Sequence, residues 1–477
     1  GNSLRELLMR EKCVFSPHTK GLGMKQIQRI FNAHVAVAMA GVLSVAGIAT
    51  ADAEEPIALT AAEEIVASVT DVRLRLLLEE VLQRNPRLAR LEAEVAAVEQ
   101  RAPQVKALPD PTATLTWFVM SPETRVGPQR GAINLMQQFP WFGTLKLDEQ
   151  ASLWDAVGAR ANLEGAKIAI LTEARSDYHE LQFLDLERSL VREERATLEH
   201  YAELALARYA SGIGLDQAVI KIQAEITRTE TRLLNIATRR ASVVARLNAL
   251  RDRPQTTRLG LRASATAQGL TLDYEALRTR ALDDRPEIVA ADARVEAAAS
   301  RVNNSKKAYS PTVVVGLNYG FVDRRTDEAG RLNPPEDNGK DIFGLTGGIS
   351  VPLWKSSLEA GVEEKVQNRL AAEEGRREIA AAIDGELGDL VHRIPLLVEQ
   401  VELYDKVLVI QASQSLWSAE SAYAAGTANA LDLLDAERVL LQVRIAAERV
   451  RTDLEIATAR LEAVIAGPLE KVSGEVE

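Results

Sequence analysis

The chain has 477 residues, of which 46% are hydrophobic and 26% charged, and its net charge is −11. These fractions are typical of a folded protein of two to four domains, and the negative charge argues against nucleic-acid binding, which requires a basic surface. Cys13 is the sole cysteine, and the histidines beyond residue 53 are far apart: His179, His200 and His392. We therefore expect neither a disulfide framework, nor a metal site, nor a cofactor.

The first segment has the features of an export leader. Met24 precedes a basic stretch, an apolar run over residues 35–48 and the small-residue sequence Ala51-Asp52-Ala53. This order is typical of a secretory signal peptide, and the apolar run is shorter than the roughly 20 residues of a membrane-spanning helix. We expect residues 24–53 to be the signal peptide and residues 1–23 to be an upstream extension. Since no cysteine follows the cleavage site, no lipid anchor is expected there.

The remaining chain contains an internal repeat. The segment Leu77–Thr112 aligns without a gap onto Leu277–Thr312, and Tyr209-Ala210-Ser211-Gly212 resembles Tyr423-Ala424-Ala425-Gly426. Matches at a nearly constant offset predict a tandem duplication. The expected boundaries are a first repeat over 54–250, an equatorial linker over 251–272, a second repeat over 273–468 and a tail over 469–477.

Each repeat is predicted to form a helix, two strands, a long helix, a tight turn and a further helix. In the first repeat the first helix runs from about Val72 to Ala107, and the strands cover about 112–120 and 132–141. The long helix then covers 147–208, the tip 208–216 and the final helix 216–250. The second repeat has the corresponding segments at 274–308, 312–321, 342–353, 357–423 with an interruption at Pro395, and 423–435 for the tip.

The predicted strands alternate between apolar residues and small or polar ones, so each has one apolar face. Aromatic side chains gather near the strand ends, as in the membrane-interface belts of transmembrane barrels; they are Trp117, Phe139, Trp141, Tyr319 and Trp354. An ordinary soluble sheet is the alternative interpretation of this pattern. Because four strands cannot close a barrel and open edges are not tolerated in lipid, three copies would be needed to supply twelve strands.

The helices also predict lateral packing. In the last helix, Leu433, Leu440, Ala447, Leu454 and Leu461 recur every seven residues, and a second apolar series follows three positions later. This is a coiled-coil stripe. The long helices lack a transmembrane composition, and the two shorter helices of a repeat would together match one long helix in length.

The layout resembles the TolC-like outer-membrane factors over about residues 72–468. The segment from Tyr423 to Ala436, with the sequence Leu431-Asp432-Leu433-Leu434-Asp435, is similar to that family's helical turn. The sequences around Gly127-Pro128 and Phe139-Pro140-Trp141 resemble the CzcC-like heavy-metal branch. The resemblance implies a mainly α fold with a transmembrane β part: a trimeric 12-stranded outer-membrane β-barrel on a long periplasmic α-helical barrel.

The resemblance also implies partners and site residues. It predicts a homotrimer in contact with outer-membrane lipid, a periplasmic adaptor protein and an inner-membrane pump, of RND type, in a Gram-negative bacterium. The adaptor would dock on the helix tips, at Arg208, Tyr209, Gly212, Tyr423, Gly426 and Thr427. Asp432 and Asp435 would form a negative ring at the periplasmic entrance that favours cations. The alternative for these two residues is a solvated helix face.

The function that the resemblance implies is a passive efflux channel, whose cargo would be heavy-metal cations. Two other functions are alternatives to it. A structural coiled-coil stalk in the periplasm would explain the heptads but not the four alternating strands. A periplasmic hydrolase would need a nucleophile elbow, a cluster of metal ligands or a phosphate-binding loop, and the sequence contains none of these motifs. We therefore expect the protein not to be an enzyme.

Overall fold

The architecture is that of a computed structural model, which describes residues 60–212, 216–257, 259 and 272–469. The expected upstream extension and signal peptide, most of the linker and nearly all of the tail lie outside these residues. Twelve α-helices and five strands are described. None of the described helices combines the length and the apolar composition that crossing a membrane requires.

The first half begins with four helices: α1 (Ala61–Ser68), α2 (Val72–Arg84), α3 (Pro86–Glu99) and α4 (Arg101–Lys106). Strands β1 (Thr112–Trp117), β2 (Glu123–Thr124) and β3 (Gly127–Phe139) follow. The half ends with helices α5 (Thr144–Ala210) and α6 (Asp216–Leu250).

The second half repeats this order. Helices α7 (Tyr274–Asp284) and α8 (Pro286–Lys307) lead into β4 (Thr312–Val322), a short helix α9 (Glu328–Leu332) and β5 (Ile342–Ser350). Helix α10 (Lys355–Leu403), a π-helical turn (Tyr404–Leu408), α11 (Val409–Ala424) and α12 (Ala430–Val464) complete it.

The expectation of one continuous helix from Val72 to Ala107 is wrong. The helix breaks at Asn85, whose backbone is extended because the following residue, Pro86, disfavours the helical conformation before it. Asn85 caps α3 by accepting from the N–H groups of Arg87 and Leu88. The second half breaks in the same way at Arg285, before Pro286, so the predicted helix 274–308 is also two helices.

Asn85 further connects α3 to α6. Its Nδ2 donates to the carbonyl of Leu250, at the C-terminal end of α6, at 2.9 Å. The C-terminal end of α6 therefore lies against the break between α2 and α3, and both of these helices pack on α5. This side-chain bond satisfies one of the carbonyl groups that a helix end leaves without an internal partner.

The predicted interruption at Pro395 is also wrong. Helix α10 continues through Pro395, and the irregularity lies in the π-helical turn Tyr404–Leu408, which inserts an extra residue into the helical repeat. The corresponding helix of the first half, α5, runs for 67 residues without a break.

The four long strands form one antiparallel sheet in the order β1-β3-β4-β5, and β2 pairs with β3 alone. The strands begin and end close to the predicted positions, but β3 starts earlier, at Gly127, and β5 ends at Ser350, two residues before Pro352, which has no N–H to donate to a ladder. The helices attached to these strands pack in the same sequence: α4 on α5, α5 on α8 and α8 on α10.

In the half of the helical layer farther from the sheet, α5 changes partners. It packs there against α6 on one side and α12 on the other, and α12 packs in turn against α10 and α11. The predicted coiled-coil stripe of α12 is confirmed, since Leu433, Leu440, Ala447, Leu454 and Leu461 are all buried. The mainly α fold with one sheet is likewise confirmed.

Candidate functional site at the helix tips and the sheet

The turn between α5 and α6 forms the first tip. Helix α5 ends in a bond from the N–H of Ser211 to the carbonyl of Ala207, and Gly212 adopts a left-handed conformation with φ of 76°. This is the usual glycine ending of a helix, since a Cβ is disfavoured there. Residues 213–215 lie outside the described part of the chain, and α6 begins at the exposed Asp216.

The turn between α11 and α12 forms the second tip and uses the same ending. Gly426 has φ of 78°, and the N–H of Thr427 donates to the carbonyl of Ala422 at 2.9 Å. Helix α12 then opens on Asn429, whose side chain accepts from the N–H of Leu431 at 2.7 Å. The sequence similarity between the two tips thus corresponds to a shared backbone conformation.

The structure brings two of the predicted docking residues together. Arg208 donates to the carbonyl of Tyr423 at 2.7 Å, and its guanidinium carbon lies 4.2 Å from the centre of the Tyr423 ring. The Tyr423 residue is only 8% exposed. Arg208 and Tyr423 therefore hold one tip against the other, whereas Tyr209, Gly212, Gly426 and Thr427 are exposed at the end of the layer.

An apolar group of residues packs directly behind the turns, and we name it the tip cluster. It consists of Leu198, Tyr201, Ala202, Ala205, Ile222, Tyr423, Ala430, Leu433 and Leu434. Four helices contribute to it, so the two tips cannot separate without exposing apolar surface.

Asp432 and Asp435 are both exposed on the first turns of α12. Asp432 is also a structural residue, because its carboxylate accepts from the N–H of Asn429 at 3.2 Å and completes a capping box. An exposed carboxylate at this end of a helix is favoured by the helix dipole. Both aspartates are exposed, and Asp432 has in addition a capping role that the sequence analysis did not assign.

A group of acidic residues below the tip cluster was missed by the sequence analysis. Glu194 of α5 and Glu437 of α12 are buried, and burial raises the pKa of Glu194 to about 7 and that of Glu437 above its usual range. The spacing of Glu437 could have revealed it, because it lies four residues after Leu433 and three before Leu440, both on the buried stripe.

The sheet presents the second candidate surface. Its register places most of the apolar side chains of the four long strands on one face, and these remain exposed in the single chain. The opposite face carries mainly small and polar residues, among them the hydrogen-bonded pair Asn134 and Asn318, together with the apolar Met136 and Ile342. The exposed apolar face comprises Leu115, Trp117, Ile133, Leu135, Phe139, Val313, Val315, Leu317, Tyr319, Phe343, Leu345 and Ile349.

The predicted aromatic residues lie in two groups. Trp117 and Tyr319 are toward the loop end of the sheet, whereas Phe139, Trp141 and Trp354 are at the end joined to the helices. Trp117 is 68% exposed and Trp354 is 79% exposed. Aromatic side chains therefore lie at both ends of the exposed apolar face.

The described residues contain no group of three or more His, Cys, Asp or Glu side chains placed to hold a metal ion. Of the three scattered histidines, His179 is buried, and its Nδ1 donates to Oε1 of Gln182 at 3.1 Å. Burial lowers its pKa to about 4, so His179 is neutral at physiological pH.

The chain was compared with known proteins. The model of the family described as "Outer membrane efflux protein" matches residues 77–252 and 277–467. No curated protein matches the sequence. Among solved structures, the outer-membrane channel OprN superposes with a TM-score of 0.72 at 18% identity, covering 84% of this chain and 91% of its own.

Two further structures show the same fold. The outer membrane protein VceC of Vibrio cholerae gives a TM-score of 0.68 at 23% identity, covering 83% of this chain and 97% of its own. The MtrE outer membrane channel of Neisseria gonorrhoeae gives 0.68 at 16% identity, covering 89% and 98%. The family match alone covers more than half of the chain, in two parts that correspond to its two similar halves. The chain therefore belongs to the outer membrane efflux protein family and is a channel component of the outer membrane rather than an enzyme.

Proposed function

We propose that three copies of this chain form a duct that exports cargo from the periplasm, coupled through an adaptor protein to an inner-membrane pump of RND type. The two repeats, 54–250 and 273–468, would each supply two long strands and one tip, with the linker 251–272 between them. The single observation that carries the proposal is the exposed apolar face of a sheet whose two edges are unpaired.

The edges of the sheet support the number of copies. Strands β1 and β5 each have one hydrogen-bonded neighbour in the described chain. In lipid an unpaired strand edge is too costly to persist, so the edge of β5 needs the β1 edge of another copy. Three copies with four long strands each give a 12-stranded barrel, which is within the range found in membranes.

The helical part supports lateral contact as well. Leu396 and Leu403 are seven residues apart on α10, Ile410 and Trp417 are seven apart beyond the π-helical turn on α11, and all four are exposed in the single chain. An exposed apolar stripe with heptad spacing is the signature of a helix that packs against another helix. In the trimer this stripe would face the neighbouring copy.

The tips support docking to the adaptor. Tyr209, Gly212, Gly426 and Thr427 are exposed at the end of the layer opposite the sheet, so they are accessible to a partner. Arg208 and Tyr423 would contribute by fixing the two turns in one arrangement. The buried ring of Tyr423 is available to an adaptor only if the tips part.

Asp432 and Asp435 would form the entrance ring, six carboxylates in three copies. Such a ring attracts cations, and the net charge of −11 has the same sign. Heavy-metal cations are therefore the proposed cargo, and the resemblance around Phe139-Pro140-Trp141 to the heavy-metal branch supports them.

The test is single-channel conductance of the purified protein in a planar bilayer. The test variant combines Asp432→Asn with Asp435→Asn, because asparagine removes the charge but keeps a side-chain oxygen at position 432 that can accept from the N–H of Asn429. Glu92→Gln, at an exposed acid on α3, is the control. We expect a cation-selective pore whose selectivity falls in the aspartate variant and not in the control. A pore whose selectivity is the same in the wild type and in the aspartate variant would refute the ring. The absence of any pore, whether the protein is prepared with its entrance open or closed, would favour the structural coiled-coil stalk.

The cargo requires a separate experiment in cells. Deletion of the gene should lower resistance to at least one heavy metal, and the intact gene should restore it. Unchanged resistance to every metal tried would refute the cargo and leave the channel untouched.

A further inference from the structure

Helices α5 and α12 run antiparallel along an interface that we name the seam, and opposite charges face each other at several of its positions. Three ion pairs cross it, at 2.5, 2.5 and 3.4 Å; they join Arg175 to Glu462, Arg449 to Glu180 and Arg444 to Glu193. The seam ends at the tip cluster, to which both helices contribute.

One position of the seam breaks this pattern. Glu194 lies one turn from Leu198 of the tip cluster, and Glu437 lies one turn from Leu433. The two glutamates are 6% and 8% exposed. Neither makes an ion pair or a hydrogen bond with the described residues, and Glu437 Oε2 is a buried oxygen without a hydrogen-bond partner. Two buried carboxyl groups without a counter-ion thus lie on the two helices of the seam, and Glu437 is close enough to Glu194 for its charge to act on it.

The surrounding charges do not neutralise this pair. Groups on four helices act on it: Glu193 and Tyr201 on α5, Glu225 and Arg232 on α6, Glu420 on α11, and Arg438 and Arg444 on α12. Each of the arginines is engaged elsewhere, in pairs with other carboxylates: Arg232 with Glu187, Arg438 with Glu225 and Arg444 with Glu193. The hydroxyl of Tyr201 donates to Glu420 at 2.6 Å.

Burial without a counter-charge favours the neutral form of a carboxyl group, and a second carboxylate beside it favours that form further. Burial is the main reason why the pKa of Glu194 is raised to about 7, and Glu437 and Glu225 raise it further, against the effect of Arg232. Burial also raises the pKa of Glu437, with Glu420 as the next cause. A carboxyl group whose pKa is raised in this way binds a proton at a pH at which an exposed glutamate is ionised.

We propose that Glu194 and Glu437 form a proton-binding site in the seam, and that loss of the proton separates α5 from α12 below the tips. When both groups are ionised, two buried negative charges repel each other and each requires water. Opening the seam relieves both costs. The tip cluster lies between this site and the turns, so the opening reaches the tips. This consequence for the channel rests on the proposed function, whereas the proton site itself does not.

Infrared spectroscopy of the purified full-length protein tests the proton site. A protonated carboxyl group has a C=O band distinct from that of a carboxylate, and we expect such a band in the wild type to disappear with a midpoint near pH 7. It should be absent from the double variant Glu194→Gln, Glu437→Gln, in which the amides imitate the protonated pair and preserve packing. Glu199→Gln, at an exposed acid paired with Arg195, should keep the band. A wild type without this titrating band, or a double variant that retains it, overturns the proposal.

Spin-label distances test the movement. The exposed residues Ala196 of α5 and Gln442 of α12 are changed to cysteine, Cys13 is changed to serine, and labelled protein is diluted with unlabelled protein so that the distance lies within one chain. Between about pH 6 and about pH 9 we expect the distance to increase in the wild-type background and to stay constant in the double glutamine background. No change in either background, or an equal change in both, refutes the coupling. Neither measurement needs a conducting pore, so a failure of the proposed function would be recognised separately.

Discussion

The buried ion pair between Arg175 and Glu462 offers a quantitative test of how the two halves of the chain are held together. Arg175 lies on α5 and Glu462 near the end of α12, with Nη1 and Oε2 2.5 Å apart. Both residues are buried, and Arg175 Nε has no hydrogen-bond partner. The pair therefore has one strong contact and little else to replace it.

The expected magnitude follows from what each substitution leaves behind. Arg175→Met leaves a buried carboxylate whose remaining contact is a 3.4 Å bond from the N–H of Leu469. Glu462→Leu leaves a buried guanidinium. Removing one partner of a buried pair costs about 3–5 kcal/mol, whereas replacing both with apolar residues is often nearly neutral. We expect each single variant to lose about 3 kcal/mol or more, and the double variant to lose less than either one.

The assay is guanidinium unfolding of the purified protein in detergent, followed by tryptophan fluorescence, for the wild type, both single variants and the double variant. Arg160 and Glu99 form an exposed pair that serves as the control, and removing either should change the free energy of unfolding by less than about 1 kcal/mol. If the losses of the two single variants simply add in the double variant, the charges are not coupled and the reasoning from burial fails.

Three further predictions concern the loops, the sheet and the loss of stability at acidic pH. Gly127→Ala should lower the free energy of unfolding by at least about 3 kcal/mol, because a Cβ there would lie 1.7 Å from a backbone carbonyl oxygen and the φ of 129° already disfavours a side chain. Gly347→Ala is the control in the same unfolding assay and should be nearly neutral, since a Cβ at Gly347 meets no atom within 4 Å. Leu317→Arg should lower the free energy of unfolding in lipid by roughly 2–4 kcal/mol and reduce the yield of heat-modifiable folded protein on gels. Asn318→Arg, on the opposite face of the sheet, is the control and should have neither effect. Equal losses in the two variants would mean that the apolar face does not contact lipid. Burial depresses the pKa of His179 to about 4, so the neutral ring makes its full contribution to the free energy of unfolding above pH 6.5. As the pH falls from 6.5 toward 4, roughly 3 kcal/mol of that free energy should be lost. In His179→Gln the free energy of unfolding should change less over this pH range.

The strand positions and the buried stripe of α12 could be predicted because the apolar residues of each recur at a fixed spacing and face the same surroundings along the whole element. The alternation around Leu317 has period two, and the sheet keeps one face apolar along its whole length. The stripe from Leu433 to Leu461 faces the same layer of helices throughout. Where a pattern and its environment are both constant, sequence period determines burial.

The helix breaks could have been predicted and were not. In the alignment of Leu77–Thr112 on Leu277–Thr312, Pro86 falls on Pro286, and a proline disfavours the helical conformation of the residue before it. The residue before each proline is extended, and each proline starts a new helix. Pro395 shows the opposite outcome, because the helix continues through it, so a proline alone does not locate a break.

The buried acids could not be found from α5 alone. The partners of α5 change along its length, from α8 near the sheet to α12 near the tips, so its buried face does not follow one heptad. Glu194 therefore has no sequence signal that separates it from the exposed Glu193 beside it. Only the packing of α5 against α12 shows which of the two is buried. The docking residues, the entrance ring and the metal cargo stay predictions.

The joint at Asn85 has a mechanical consequence. A continuous α-helix resists bending along its whole length, whereas helices whose ends meet can pivot there. The end of α6 is held to the break between α2 and α3 by the Asn85–Leu250 hydrogen bond and by the ion pairs of Glu80 with Arg251 and Arg253. The described layer therefore combines elements of different stiffness: α5 is uninterrupted, the end of α6 meets the α2–α3 break at a joint, and the α10–α11 helix carries a π-helical turn. Applied force would deform the layer first at the joint and at the π-helical turn, while α5 acts as the rigid strut against which the others move. Strengthening the joint, rather than the tips, would then be the way to make the whole layer stiff.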